Sequence, residues 1–292
     1  MSESVAGARR RPSGAGDRPA FGFDLDGVLM VNPFDSCVVP RLEALVAGAP
    51  ALAGLSTEET SREVRRAIGR GWRERMAAGD LAAAYDWDAI YLAVAAEFGI
   101  PDADERVIDV ARWVRECCQE GGHIRALPGA EETLTDLAAS GARLVVISNG
   151  FAPYQEPVLE ALGLLRHFDE VVTPDRVGYA KPDRRIFEAA GPLDAFVGDT
   201  LVHDVLGARQ AGIEAVWLHP GLPAELRSVG PRERAVRPEV ADLVRASLVA
   251  SPHAVYHPEA DLETCSPDAV ATSLSEVRDL LLGSAATRPA RR

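Results

Sequence analysis

The sequence predicts an α/β fold, an open doubly wound parallel sheet with an inserted all-helical domain, and three observations carry that prediction. First, five short apolar runs have the length and composition of strands buried on both faces: Ala20–Phe23, Arg143–Ile147, Glu170–Thr173, Ala195–Val197 and Ala215–Leu218. Second, helical patterns lie between the later runs, and alternating strands and helices imply a parallel sheet with helices on both faces. Third, the gap between the first two runs is far too long for a single crossover and reads as several helices.

In chain order, Ala130–Ala139 precedes the second run and Pro157–Leu164 follows it. Arg184–Ala190 follows the third and Val202–Gln210 the fourth. Within the long gap, Pro40–Ala47, Glu58–Ala78, Ala89–Phe98 and Arg106–Glu120 all space their apolar residues for one helix face. Residues 35–121 are therefore expected to form a helical cap domain on a core of 20–34 and 122–283, with Gly121-Gly122 as a hinge. Residues 220–264, rich in Pro and Arg, read as an extra insert with one helix, Glu239–Ala250; Ala269–Leu282 reads as a short strand and closing helix. The stretches 1–19 and 284–292 are expected to be a disordered arm and tail, and the arm lacks the apolar stretch of a signal peptide.

Composition narrows the function. Of 292 residues, 47% are hydrophobic and 26% charged, as in ordinary globular proteins, and no apolar run approaches a membrane span. The net charge of −13 argues against nucleic acid and anionic lipid as partners. An anionic substrate would need local positive charge. The four cysteines, Cys37, Cys117, Cys118 and Cys265, show neither metal-ligand spacing nor a disulfide framework, so free thiols in a reducing cytoplasm are expected.

In open α/β sheets ligands sit beyond the carboxyl ends of the strands, and polar groups gather at four such ends. Asp24-Leu25-Asp26-Gly27 follows the first run: one carboxylate can attack or bind metal while the other moves a proton. Ser148-Asn149-Gly150 follows the second, where a hydroxyl and main-chain N–H groups suit phosphate oxygens, although the tripeptide is also good turn chemistry. Lys181-Pro182-Asp183 comes after the third. Lys181 is the only lysine among 31 basic residues, a compact point charge where Arg serves everywhere else. Gly198-Asp199-Thr200-Leu201-Val202-His203-Asp204 leaves the fourth. Asp199 and Asp204 beside the Asp24 turn would make an oxygen-rich pocket of the kind Mg²⁺ takes.

In this order and at these strand ends, the four motifs resemble the phosphatase branch of the haloacid dehalogenase (HAD) superfamily with a helical cap, over about residues 20–219. The resemblance implies a Mg²⁺-dependent phosphate monoester hydrolase working on a small phosphorylated metabolite. Asp24 would be the nucleophile and Asp26 the acid/base. Ser148, with Asn149 and Gly150, would hold the phosphate and Lys181 would steady the transferring group. Mg²⁺ would be held by Asp24, the Asp26 main-chain carbonyl, Asp199 and Asp204. Three features depart from the pattern: Val28 where many relatives carry Thr, a short stretch from Lys181 to Asp199, and the 220–264 insert. A 2-haloacid dehalogenase, a phosphomutase and a non-catalytic scaffold are the alternatives; Asp26 speaks against the first.

Other residues carry less. The aromatic segment Tyr85-Asp86-Trp87-Asp88-Ala89-Ile90-Tyr91 either stacks on a flat leaving group or packs inside the cap, and packing is the commoner use. Trp72 and Trp113 are expected in the core. His203 is expected to face solvent, and the other histidines show no ligand spacing.

Overall fold

The computed structural model describes residues 18–100, 103–104 and 106–286. Six parallel strands form the central sheet: β1 (Ala20–Phe23), β4 (Arg143–Ile147), β5 (Glu170–Val172), β6 (Ala195–Gly198), β7 (Glu214–Leu218) and β8 (Ala269–Ala271). A separate antiparallel pair joins β2 (Met30–Val31) to β3 (Arg125–Ala126). The order in the main sheet is β5-β4-β1-β6-β7-β8. The chain thus starts in the middle and builds outward to both sides. The crevice where strand order reverses falls at the carboxyl end of β1, between β4 and β6.

Alternate side chains of each strand enter different cores. Phe21, Phe23, Leu144, Val146 and Val197 pack with α5 (Ala130–Ala139), α6 (Ala152–Ala161) and α12 (Leu274–Ala286). Val145, Ile147, Phe196, Ala215 and Trp217 pack on the opposite face with α8 (Arg184–Ala189) and α9 (Gly207–Gln210). Burial on both faces is why these strands read as unbroken apolar runs. A short α7 (Pro174–Val177) links β5 to the Lys181 loop.

Between β2 and β3 the chain is helical, as expected: α1 (Val39–Val46), α2 (Thr57–Ala77), α3 (Trp87–Glu97) and α4 (Val110–Glu120). Local capping sets their starts. Ser56 and Glu59 form a capping box on α2, Asp86 accepts from Ala89 N–H at 3.0 Å, and Asp109 accepts from Arg112 N–H at 2.7 Å. The Asp109 cap also explains why α4 begins at Val110 and not at Arg106.

Several expectations are corrected. The helix after β4 starts at Ala152 and carries Pro157 inside it, whereas a start at Pro157 was expected because proline suits a first turn. The closing helix runs to Ala286, so residues 284–286 are helical and not tail. Most of the expected arm and the rest of the tail lie outside the described residues; within the arm, Arg18 pairs with Asp169 at 2.6 Å. Cys37 and Cys117 are not free thiols but a disulfide, 80 residues apart in sequence. It ties the segment leaving the site to α4, the last helix before β3. This pairing goes against the reducing-compartment reading of the cysteines. Among the described residues, no helix is long and apolar enough to cross a membrane.

The 220–264 stretch is fastened to the core by one buried cation. Arg234, on α10 (Pro231–Ala235), is 1% exposed and donates to the carbonyls of Leu226, Arg227 and Val270 and to Glu276 of α12. The next helix, α11 (Pro238–Ala250), buries Val240 and Val244 in the core shared with Val202 and Val205.

Candidate active site

The turn after β1 is built on tight backbone bonding. Asp24 N–H still pairs with Val197 of β6 at 2.9 Å, and Leu25 carbonyl then accepts from Val28, Leu29 and Met30. Gly27 sits at φ 78°, and a Cβ there would lie 2.2 Å from Asp199 Oδ2. Glycine is thus required twice, for conformation and for the approach of the Asp199 carboxylate. Gly27→Ala is expected to cost at least about 1–2 kcal/mol from backbone conformation alone, and to displace Asp199. Thermal denaturation and turnover together would check this; a variant matching the wild type in both would refute it.

Lys181 lies between two of the expected carboxylates. Its Nζ stands 2.8 Å from Asp24 Oδ1 and 2.7 Å from Asp204 Oδ1, with the residue only 2% exposed. Burial alone would lower the ammonium pKa; Asp204 and Asp24 outweigh it and hold the pKa above its ordinary value. Asp204 is committed on its other oxygen too, accepting from Thr200 N–H at 2.9 Å and Thr200 hydroxyl at 2.6 Å. Asp24, Asp199 and Asp204 each bring a carboxylate oxygen within 4.8 Å of the others. Crowding of acids has the expected electrostatic result. Burial raises Asp24 to about 7, with Lys181 opposing and Asp204 reinforcing the shift. Burial, then Asp204 and Asp24, raise Asp199 to about 8.

Asp26 stands apart from that cluster. One oxygen accepts from Gln155 Nε2 at 3.4 Å; the other is buried with no partner in hydrogen-bond geometry among the described residues. Burial raises this carboxyl above its ordinary value, with Asn32 and Gln155 partly countering the effect. A buried carboxyl with a raised pKa and a vacant oxygen is suited to carry a proton.

After β4, Ser148 is buried and its Oγ accepts from Gly150 N–H at 3.2 Å. The Asn149 side chain has a job that its motif position does not reveal. Its amide donates to Lys181 carbonyl at 3.1 Å and accepts from Lys181 N–H at 2.6 Å, clamping the Lys181 loop to the end of β4. Gly150 makes room for Gln155, since a Cβ there would lie 2.0 Å from Gln155 Nε2. Gln155 is the functional candidate that sequence reasoning missed; a lone Gln on the buried face of α6 has no motif to mark it.

Apart from the buried Asp204, the site side chains described above line one cavity of about 650 Å³. Its opposite wall comes from the helical region and includes Phe34, Tyr85, Trp87 and Tyr91. His203 also lines it and corrects another expectation. It is 8% exposed, with Nε2 3.3 Å from Tyr85 hydroxyl and its ring centroid 4.1 Å from that of His253. Burial first, then His253, hold His203 well below its ordinary pKa, and burial with His257 lowers His253 to about 4. Trp72, expected in the cap core, is half-buried and meets His253 and Tyr256 edge-on at 5.1 and 5.7 Å. The 220–264 stretch therefore reaches both the helical region and the site.

Comparison with known proteins identifies the family. A family model described as haloacid dehalogenase-like hydrolase matches residues 19–212. A phosphoglycolate phosphatase of Caulobacter vibrioides is 33% identical over 239 residues, covering 80% of this chain and 88% of that protein. A glyceraldehyde 3-phosphate phosphatase of Methanothermobacter thermautotrophicus is 42% identical over 106 residues, 34% of this chain. The match spans 47% of that relative, about half its length. Among solved structures, a HAD phosphatase from Thermococcus onnurineus superposes with a TM-score of 0.59 at 23% identity, covering 90% of this chain and 97% of that one, a likeness of fold. With the family model covering well over half its length, the chain belongs to the haloacid dehalogenase-like hydrolase family, in the branch that carries the phosphatases.

Proposed function

We propose that this chain hydrolyses a phosphate monoester of a small metabolite through a covalent aspartyl-phosphate on Asp24, with Mg²⁺ as cofactor. The observation that carries the reading is Lys181 Nζ held between Asp24 and Asp204, with Asp26 beside them and outside that ion-paired cluster.

The chemistry follows from these positions. Asp24 attacks phosphorus, forming a P–O bond as the ester P–O bond breaks. Asp26 gives a proton to the departing alcohol oxygen, and its burial favours the protonated form that this step needs. Asp26, now a carboxylate, takes a proton from water as that water attacks the aspartyl-phosphate, releasing phosphate and restoring Asp24. Ser148 hydroxyl and the main-chain N–H groups of Asn149 and Gly150 would bind phosphate oxygens, with Asn149's side chain holding Lys181 in place.

The donor set fits a hard divalent cation: oxygen ligands only, three carboxylates within 4.8 Å. Asp24, Asp199 and, through its remaining lone pairs, Asp204 would hold it, with the Asp26 main-chain carbonyl. When bound, Mg²⁺ supplies positive charge to the phosphate oxygens. The residues 35–121 would act as the cap, closing over a small substrate and excluding water.

The test is phosphate release from a panel of phosphorylated metabolites, before and after EDTA treatment. Release that stops with EDTA and returns with Mg²⁺ is expected. Chloride release from a 2-haloacid that ignores EDTA would overturn the reading, as would isomerised sugar phosphate without free phosphate. Metal removal has a second expected effect. The folded pKa values of Asp24 and Asp199, about 7 and about 8, lie above those of the unfolded chain. The metal-free folded state then binds more protons than the unfolded one between about pH 4 and pH 8, so its stability falls as pH rises through that window. Mg²⁺ is expected to raise the Tm more at about pH 8 than at about pH 5, where protons compete for the same oxygens. An equal gain at both pH values would argue that these carboxylates do not hold the metal.

A further inference from the structure

We propose that the preferred substrate is a phosphate monoester whose leaving group carries a flat, uncharged ring, as in a nucleoside monophosphate, and that Trp87 and Phe34 receive the ring. This rests on the phosphatase reading above and adds the substrate class to it. Two independent features of the cavity point the same way: its aromatic wall and, among the described residues, its lack of an uncommitted cation.

The wall facing the carboxylates is largely aromatic. Phe34, Trp87, Tyr91 and Tyr154 line it with Val39 and Ile68. Tyr91 and Tyr154 are fully packed, which is the structural use of such rings. Trp87 and Phe34 differ: both are only partly buried, and both border the cavity. Their centroids lie 5.9 Å apart at 52°, and Tyr154 backs Phe34 edge-on at 6.1 Å. Asp86 caps α3 immediately before Trp87, so that ring sits on the first turn of a helix and not on a free loop. Partly buried rings that border the cavity can take a flat group by offset or edge-on stacking.

The charges disfavour a second anionic group on the substrate. The lining cations are Lys181 and Arg65, against Asp24, Asp26, Asp35 and Asp199. Lys181 is held by Asp24 and Asp204. Each nitrogen of the Arg65 guanidinium already has an acceptor: Nη1 with Asp35 at 2.9 Å, Nη2 with Asp35 carbonyl at 3.4 Å, and Nε with Glu43 at 3.2 Å. A carboxylate beyond the phosphate, as in phosphoglycolate or phosphoserine, would enter against acidic groups without a partner of its own. The chain is thus set apart in substrate from its phosphoglycolate-hydrolysing relative in Caulobacter vibrioides.

The experiment compares kcat/KM for uridine 5′-monophosphate, hexyl phosphate, phosphoserine and phosphoglycolate, all esters of primary alcohols, on wild type, Trp87→Ala and Trp87→Phe. The nucleotide is expected to lead the carboxylated esters by about tenfold or more, as one stacked base warrants. Trp87→Ala is expected to remove most of that lead, chiefly through KM, and Trp87→Phe to restore most of it. A carboxylated ester that leads, hexyl phosphate equal to the nucleotide, or Trp87→Ala lowering every ester alike would overturn the inference while leaving a phosphatase. Failure to release phosphate from any of the four in the wild type, followed by failure on the wider panel, would instead remove the function it rests on. Because the first comparison needs only the wild type, misfolding of a variant does not shield the proposal.

Discussion

Replacing Asp24 by Asn is expected to lower kcat for phosphate release by about 10⁴-fold or more, in line with the loss of other enzymic nucleophiles. The reason is chemical: a neutral amide cannot attack phosphorus or form an acyl phosphate. The fold is expected to persist, because the amide keeps the shape of the side chain. Asp24 is also an expensive charge to bury, shifted up to about 7 mainly by loss of solvent. Removing it leaves Lys181 its second partner, Asp204, at 2.7 Å. Metal-free Asp24→Asn is therefore expected to match or exceed the wild type in Tm near neutral pH. Two measurements separate the possibilities. Acid-quenched wild type mixed with substrate is expected to show a phosphoryl adduct by intact mass, absent from the variant. An adduct that persists in Asp24→Asn, or turnover within tenfold of wild type, would place the nucleophile elsewhere.

Much of this site could be read from the sequence because its parts sit where apolar runs stop. Strands buried on both faces have no polar alternation, so β1, β4 and β6 announce themselves, and the first polar residues beyond them are Asp24, Ser148 and Asp199. Lys181 is marked by its place after the third run and by composition, as the one lysine, and the structure buries it against Asp24 and Asp204. What stayed hidden is what depends on distant contacts. His203 looked like a solvent position within its motif; His253, fifty residues on in an insert with no motif, covers it. Cys37 and Cys117 gave no spacing signal, since pairing across 80 residues is a property of the fold. The β2–β3 pair has two residues in each strand, too few for any periodicity to register. Asn149 illustrates a subtler limit. The sequence marked it as part of a phosphate loop, but its side chain holds the Lys181 backbone, a pairing across 32 residues.

Lys181→Met is expected to damage both stability and activity. The ammonium is 2% exposed and faces two carboxylates within 2.8 Å, above the ring of Phe196 at 5.4 Å. Methionine fills much the same volume but leaves Asp24 and Asp204 buried without their cation. Breaking a buried ion pair from one side costs about 3–5 kcal/mol. The cost depends on pH in a fixed direction. Without Lys181 the pKa of Asp24 rises further, since Lys181 is the cation opposing its upward shift. Protonation then relieves the strain as pH falls, so the Tm deficit of the metal-free variant is expected to be large near pH 8 and to shrink toward about pH 5. Turnover with saturating Mg²⁺ is expected to fall about 10³-fold, because a fixed positive charge aimed at the transferring group has been removed. Lys181→Arg tests whether charge alone suffices. A guanidinium is a wide fork where the site holds a point charge. It would have to fit between Asp24, Asp204 and Phe196 in a fully packed place, so rescue is expected to be poor. Wild-type turnover in Lys181→Arg would show that the lone lysine was replaceable by the residue used everywhere else in this chain. A Lys181→Met protein with unchanged Tm across the pH range would show that the two carboxylates are stabilised by something other than this ammonium.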